Sequence, residues 1–215
     1  MPYLNGVKKI AIFASGGGSN FKAIYEKIIS SDIPAEISIV VSNNPNSSAI
    51  NFAENNHLPT LIVNKTRFPD PNNRSIVLKQ KLLKANVDLI CLAGYMKMIP
   101  NNIVAHFENC ILNIHPALLP DFGGKGFYGI KVHEAVIKSN AIESGATIHF
   151  VDNEYDHGPI IAQQKVMILN TDNAEILAER VLRVEHELYP EVVKAFCENR
   201  IKWKGGLPKI VEYNH

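Results

Sequence analysis

Short β-branched runs alternate with amphipathic stretches of helical length along most of this chain, and this alternation constrains its fold more than any other feature. The pattern is typical of βαβ units with a mostly parallel sheet. We predict an α/β fold of three layers, with a mostly parallel twisted sheet and a Rossmann-like N-terminal half. The predicted strands are 8–14, 36–42, 60–63, 87–93, 111–114, 147–151 and 161–168, and the predicted helices are 19–30, 47–55, 73–85, 131–139 and 173–199, the last with a kink or break before Pro190.

A length of 215 residues and 46% hydrophobic content indicate one soluble domain, predicted over 7–203. The half up to about residue 100 has the pattern of a nucleotide-binding sheet. The formal net charge is +1, and the sequence has no long stretch of Lys and Arg of the kind that binding a nucleic-acid backbone requires. No apolar run is long enough to span a membrane, so we expect a cytoplasmic protein. The odd number of cysteines, in no metal-ligand spacing, predicts buried and inert thiols at Cys91, Cys110 and Cys197.

A glycine-rich turn, Ser15-Gly16-Gly17-Gly18-Ser19-Asn20, separates the first predicted strand from the first predicted helix. Free N–H groups and the positive end of the helix dipole attract phosphate at such a turn. The turn is not a P-loop, because no Lys-Ser/Thr pair follows, and it lacks the dinucleotide-binding spacing of glycines. Two interpretations stay open, namely a phosphate-binding loop and a tight turn in which Ser19 merely caps the helix.

Three polar side chains, Asn113, His115 and Asp156, stand where apolar runs end. Asn113 and His115 are two residues apart, so they point to the same side of an extended strand, which Pro116 then ends. An amide and a protonated imidazole can both donate to an oxyanion. A carboxylate near His115 is expected to raise its pKa, and Asp156 is the best candidate for that carboxylate. No Ser or Cys nucleophile stands in an elbow, so direct transfer is favoured over a covalent mechanism.

The other histidines carry weaker predictions. His149 alternates with apolar neighbours in ATIHFV, which fits either a core histidine or a group that supports the site. His133 and His186 are predicted to lie on helix surfaces. No pair of histidines has the i, i+4 spacing with an intervening Glu that binds zinc, so we predict no metal.

Five segments, in order along nearly the whole chain, resemble the formyltransferases that use 10-formyltetrahydrofolate. They are SGGGSNF, LAGYMKMI, LNIHPALLP, GATIHFVDNEYDHGPII and RVEHELYP. NIHP-x-LLP followed by D-x-G-P-I is specific to the formyltransferase core, and the Gly-Ser-Asn loop resembles the branch that acts on glycinamide ribonucleotide. The resemblance implies formyl transfer from 10-formyltetrahydrofolate to the amine of 5'-phosphoribosylglycinamide, in de novo purine biosynthesis.

The resemblance also implies that the half after about residue 100 is the folate-binding and catalytic half, and it implies a role for individual residues. It assigns the chemistry to Asn113, His115 and Asp156, with His149 supporting them. Contacts with the ribonucleotide are implied for Gly18, Ser19, Asn20 and Glu185. Contacts with folate are implied for Arg74, Met96, Lys97, Met98, Ile99, Asn113, Asp152, Asn153, Glu154 and Tyr155. Lys97 departs from the family, which commonly has Arg there, so the charge is kept and the planar fork is lost.

Three other functions were weighed against this one. A methionyl-tRNA formyltransferase shares the core and needs an additional C-terminal RNA-binding module, for which we see no room after the last predicted helix. A formyltetrahydrofolate hydrolase carries an additional N-terminal domain, whereas this chain begins almost directly with a strand. A non-catalytic nucleotide-binding protein would be expected to lose one of the three catalytic candidates. We expect small-molecule substrates, no nucleic-acid or membrane partner, and either a monomer or a homodimer.

Overall fold

The computed structural model describes residues 6–212, and the predicted alternation of strands and helices is present in them. The strands are β1 (Lys8–Phe13), β2 (Ala35–Ser42), β3 (Thr60–Ile62), β4 (Leu89–Leu92), β5 (Ile111–His115), β6 (Glu143–Phe150), β7 (Ile160–Met167), β8 (Ile201–Lys204) and β9 (Leu207–Ile210). The helices are α1 (Ser19–Ile29), α2 (Ser48–Asn55), α3 (Pro71–Lys84), α4 (Asn101–Val104), α5 (Ile130–Lys138) and α6 (Ala174–Cys197).

Seven of these strands form one mostly parallel sheet in the order β3-β2-β1-β4-β5-β6-β7. β1 pairs in parallel with both β2 and β4, and β2 pairs in parallel with β3. β6 and β7 are antiparallel. The order of the first four strands is that of a Rossmann-type half, in which the direction of strand addition reverses beside β1. The predicted α/β class and mostly parallel sheet are confirmed.

The chain divides into two compact units, one up to Leu112 and the other from Asn113 onward. In the first unit, β1 and β4 are buried along most of their length, as central strands of a parallel sheet are. In the second unit, α6 packs against β6 and β7. The expectation of a single domain over 7–203 stays a prediction.

Of the two predictions for Pro190, the break is wrong, because α6 runs without interruption from Ala174 to Cys197, and the kink stays a prediction. Proline removes one backbone donor from a helix interior. Here Tyr189 before the proline and Val192 after it are fully buried. Burial of this apolar face outweighs one missing hydrogen bond, so the helix continues.

A two-stranded hairpin of β8 and β9, joined by Gly205-Gly206, follows α6 and was not predicted. Its strands are short, and lysines interrupt their apolar pattern. The hairpin packs on the second unit, where the Trp203 ring stacks on the Phe150 ring with 6.0 Å between centroids. α4, of four residues, was also not predicted.

Candidate active site

Strand β5 carries Asn113 and His115 at its carboxyl end. Its sequence, ILNIH, places these two side chains on one side of the strand, and His115 is only 3% exposed. Both side chains contact Asp156. The Asn113 Nδ2 donates to Asp156 Oδ1 at 3.2 Å, and the His115 Nδ1 lies 3.4 Å from Asp156 Oδ2. The structure therefore brings together the three residues that the sequence singled out.

Asp156 reaches this cluster from the loop between β6 and β7. Its backbone is left-handed, with φ of 53°, a conformation that Asp adopts more readily than most non-glycine residues. The Gly124 N–H donates to Asp156 Oδ2 at 3.0 Å. Burial raises the pKa of this carboxyl, but the hydrogen bonds that its oxygens accept and the charge of His115 outweigh burial, and the net pKa lies below its ordinary value. Asp156 is thus a carboxylate at neutral pH.

His149 sets the orientation of the Asn113 amide. Its Nδ1 lies 2.7 Å from the Phe150 carbonyl oxygen, which can only accept, so this nitrogen carries the proton. In the neutral ring Nε2 is then an acceptor, and it takes a hydrogen bond from Asn113 Nδ2 at 3.1 Å. Asn113 therefore donates one amide hydrogen to His149 and the other to Asp156. This contact places His149 in support of the cluster, which was one of its two predicted roles.

His115 is held between two acceptors. Its Nε2 lies 2.8 Å from the Phe122 carbonyl oxygen, and its Nδ1 faces the Asp156 carboxylate. Burial lowers the pKa of His115 more than the Asp156 charge and the Phe122 carbonyl raise it, with His149 lowering it further. The expectation of a raised pKa is therefore wrong, although Asp156 acts in the expected direction. Desolvation of the imidazolium decides the sign, so the ring is mostly neutral at pH 7.

The glycine-rich turn lies in the first unit, between β1 and α1. Gly18 is the residue that precedes the helix, with φ of 71°, and no side chain caps the helix N-terminus there. Ser19 is the first helical residue, so the interpretation in which it caps the helix is wrong. The turn is anchored by the Ala49 N–H, which donates to the Gly16 carbonyl at 3.1 Å, and by the Ser15 hydroxyl, which accepts from the Met96 N–H at 2.8 Å.

Gly18→Ala is expected to lower the free energy of unfolding by roughly 2 kcal/mol, because the new side chain causes both backbone strain and a steric clash. Its left-handed backbone disfavours any Cβ, and an ideal Cβ would lie 2.8 Å from the Cβ of Ala49. Urea denaturation measures the loss. Gly17→Ala is the matched control, since a Cβ there meets nothing within 4 Å and its φ is not left-handed. Equal losses in the two variants would contradict this account.

A cavity of about 960 Å³ lies in the first unit and contains three of the side chains assigned to folate, namely Arg74, Lys97 and Met98. Arg74 donates to the Phe68 carbonyl oxygen at 3.0 Å, which directs its guanidinium. The remaining lining residues are Asn43, Val63, Asn64, Lys65, Thr66, Pro71, Asn72, Ser75, Ile76, Leu78, Tyr95, Pro100, Asn101 and Asn102. Lys65 and Tyr95 were not predicted, because a cation and a phenol in separate loops carry no recognisable spacing.

Of the residues assigned to folate in the first unit, two do not line this cavity. Met96 is exposed and Ile99 is buried in the core. Tyr95 packs edge-on against Phe13, with 5.2 Å between ring centroids, and its burial raises the pKa of its phenol to about 12 despite the opposing charge of Arg74. The cavity therefore presents cations, amides and a neutral phenol to a ligand.

The second unit holds the remaining candidates. Asn153, Glu154 and Tyr155 are exposed on the loop that carries Asp156, and Asp152 is half-buried there. Glu185 lies on α6 and is only 8% exposed. Burial of a carboxyl group costs free energy unless polar groups surround it, so a glutamate as buried as this one is unusual on a helix.

Comparison with known proteins shows to which family this chain belongs. Residues 8–193 match the family described as Formyl transferase. The chain is 48% identical over 204 residues to the phosphoribosylglycinamide formyltransferase, chloroplastic, of Vigna unguiculata, covering 94% of this chain and 65% of that protein. It is 35% identical over 201 residues to the Haemophilus influenzae phosphoribosylglycinamide formyltransferase, covering 94% of this chain and 92% of that protein. This chain belongs to the phosphoribosylglycinamide formyltransferases.

The fold of this formyltransferase matches as well. The crystal structure of glycinamide ribonucleotide transformylase 1 from Symbiobacterium toebii superposes with a TM-score of 0.89 at 32% identity, covering 98% of this chain and 97% of that one. Within residues 6–212, no group of His, Cys, Asp and Glu is arranged to hold a metal ion. No helix in the same range combines the length and apolar character that crossing a membrane requires.

His133 of this formyltransferase was wrongly predicted to lie on a helix surface. It is 4% exposed on α5, and its Nδ1 has no hydrogen-bond partner among the described residues. Burial, followed by the charge of His115, lowers the pKa of His133 to about 4. The signal was present, because His133 is three residues from buried Val136 and so shares its helix face.

His133 makes the stability of the formyltransferase sensitive to acid. Its folded-state pKa is depressed, so between pH 6.5 and about 4 the unfolded chain binds a proton that the folded chain does not. The free energy of unfolding therefore falls as pH is lowered through this range, by up to about 3 kcal/mol from this residue. Urea denaturation at several pH values measures it. His133→Leu is expected to flatten the dependence of the free energy of unfolding on pH. If His133→Leu showed the same dependence as the exposed control His106→Gln, the assignment would be refuted.

Proposed function

We propose that this formyltransferase moves the formyl group of 10-formyltetrahydrofolate to the amine of 5'-phosphoribosylglycinamide, which yields formylglycinamide ribonucleotide and tetrahydrofolate in de novo purine biosynthesis. One observation supports the mechanism above all others. A single carboxylate, Asp156, contacts both the amide of Asn113 and the imidazole of His115. An amide donor and an ionisable imidazole beside one fixed charge suit a reaction in which an oxyanion forms and a proton moves.

The reaction begins with the neutral amine of the ribonucleotide attacking the formyl carbon. The C–N bond forms as the carbonyl π electrons move to the formyl oxygen, which becomes an oxyanion. Asn113 stabilises this oxygen through an amide hydrogen that otherwise bonds to His149 or Asp156, and His115 provides the second donor. Removing one such donor typically lowers the rate by about a hundredfold or more.

The charge of His115 changes during the reaction. Burial keeps the ring mostly neutral in the free enzyme, since it lowers the pKa. A negative oxygen forming beside the ring stabilises the imidazolium and raises that pKa, so His115 takes up a proton from solvent as the oxyanion forms and returns it when the oxyanion collapses. Asp156 stays ionised throughout and organises a water that carries a proton from the attacking ammonium to the folate nitrogen. The intermediate then collapses, the bond from carbon to that nitrogen breaks, and tetrahydrofolate leaves with the proton.

Substrate contacts are proposed for groups of each unit taken by itself. The N-terminus of α1 at Ser19 and Asn20, where the left-handed Gly18 allows a ligand close to the backbone, binds the ribonucleotide phosphate. Glu185 accepts a hydrogen bond from the glycinamide end. Arg74 and Lys97 pair with folate carboxylates in the cavity that they share, where Met98 contributes apolar surface. Met96 and Ile99 of the first unit contact the pterin through backbone groups. In the second unit, folate contacts come from the loop of Asp152, Asn153, Glu154 and Tyr155.

Activity is tested spectrophotometrically with purified enzyme, 10-formyltetrahydrofolate and glycinamide ribonucleotide, beside reactions that lack the ribonucleotide. Deformylation that depends on the ribonucleotide supports the transferase. Deformylation without it would point to the hydrolase, and turnover only with charged initiator tRNA would point to the tRNA formyltransferase. Thermal shift in response to the ribonucleotide alone would indicate a binding protein. We further propose that no metal takes part, that the enzyme is cytoplasmic, and that it is a monomer or homodimer.

A further inference from the structure

The carboxylate of Asp152 connects the two ends of segment 152–157, whose C-terminal end lies beside the active-site cluster. Asp152 Oδ1 accepts a hydrogen bond from the Glu154 N–H at 2.9 Å. Asp152 Oδ2 lies 2.7 Å from His157 Nδ1, the distance of a charge-assisted hydrogen bond. The first and last residues of the segment are therefore joined through their side chains.

The base of this segment is held independently by the backbone. The Phe150 N–H donates to the Pro159 carbonyl oxygen at 2.9 Å. Gly158 approaches the other strand so closely that an ideal Cβ would lie 1.9 Å from the Phe150 carbonyl oxygen. Only glycine fits there, so the strand ends are fixed and the closure by His157 and Asp152 acts on the few residues between them.

Asp156 is the residue on which the closure acts most directly. Its left-handed backbone, at φ of 53°, is sparsely populated by non-glycine residues and persists only where the surroundings hold it. On one side it is held by the contacts of its carboxylate with Asn113 and Gly124. On the other side it is bonded to His157, whose ring is tied to Asp152.

We infer that His157 is a positioning residue, whose contact with Asp152 closes segment 152–157 and keeps the Asp156 carboxylate on its partners in the active-site cluster. The inference rests on the proposed function, since it assigns His157 an effect on that reaction.

The closure is sensitive to pH in a defined direction. Asp152, through its hydrogen bond and its charge, raises the pKa of His157, and the charge of Glu154 raises it further. Among the described residues, no charged group of another element contributes to this shift. The imidazolium form of His157 donates a charge-assisted hydrogen bond to Asp152. This form is therefore lost only as pH rises through the raised pKa. The closure weakens above that pH.

The test compares His157→Gln and His157→Lys with the wild-type enzyme, with His106→Gln as the control for an exposed histidine. We expect His157→Gln to lower kcat about tenfold at pH 7 while KM for the ribonucleotide changes less than twofold. The wild-type kcat is expected to decline at alkaline pH in a limb that His157→Gln lacks. His157→Lys keeps a cation at higher pH, so it is expected to restore most of kcat and to carry its activity to higher pH.

Amide hydrogen exchange of 151–158 provides a readout that needs no substrate. We expect His157→Gln to speed exchange in this segment about tenfold and to leave β6 unchanged. Wild-type kcat and exchange in His157→Gln at every pH would overturn the inference. Absence of ribonucleotide-dependent turnover in the wild-type enzyme would overturn the proposed function instead, and the exchange data would still decide whether His157 closes the segment. Faster exchange with unchanged kcat would show that the closure exists and does not position Asp156, which also overturns the inference.

Discussion

Asp156→Asn is expected to fold normally and to lose about a thousandfold in kcat, within the range that removal of a proton-transfer group produces. Asparagine adopts the left-handed backbone of this position as readily as aspartate, so the loop keeps its path. The amide carries no charge, and its NH₂ group opposes one of the two donors, at Asn113 or at Gly124, while its oxygen accepts from the other. His115 then loses the one carboxylate that favours its charged form, and the water that carries the proton loses its acceptor.

The measurement is steady-state kinetics together with thermal melting. Asp121→Asn, at an exposed carboxylate, is the matched control and should keep wild-type kcat. A melting temperature within a few degrees of wild type separates loss of chemistry from loss of fold. Turnover within tenfold of wild type would remove Asp156 from the mechanism.

Asn113→Ala is expected to lower kcat by a few hundredfold, the loss that removal of one oxyanion donor typically causes. The substitution removes both hydrogen bonds that the amide donates, to His149 Nε2 and to Asp156 Oδ1. These half-buried acceptors then lack a donor, so the free energy of unfolding should also fall by about 1–3 kcal/mol. Because the amide acts on the transition state, KM for the ribonucleotide should change far less than kcat.

Kinetics measured well below the melting temperature check this expectation, with exposed Asn55→Ala on α2 as the control. A variant that loses stability and keeps kcat would show that Asn113 only holds the cluster together. The oxyanion would then depend on His115 and on other donors.

The positions of Asn113 and His115 show how far local periodicity reaches. Two residues apart on a strand, they necessarily share a side, and proline after them ends the strand. The same reasoning located most strands and helices to within a few residues, because apolar patterning is a local property. It failed for the hairpin of β8 and β9, whose apolar residues are too few and too interrupted to form a pattern.

The sequence by itself determined the α/β class, the family, and the grouping of an amide, an imidazole and a carboxylate. Tertiary structure decided the electrostatics. The neutral state of His115, the low pKa of His133 and the continuity of α6 through Pro190 each depend on what packs around them. Desolvation and packing energies come from residues distant in sequence, and no spacing of residues along the chain reveals how much water is excluded from a side chain.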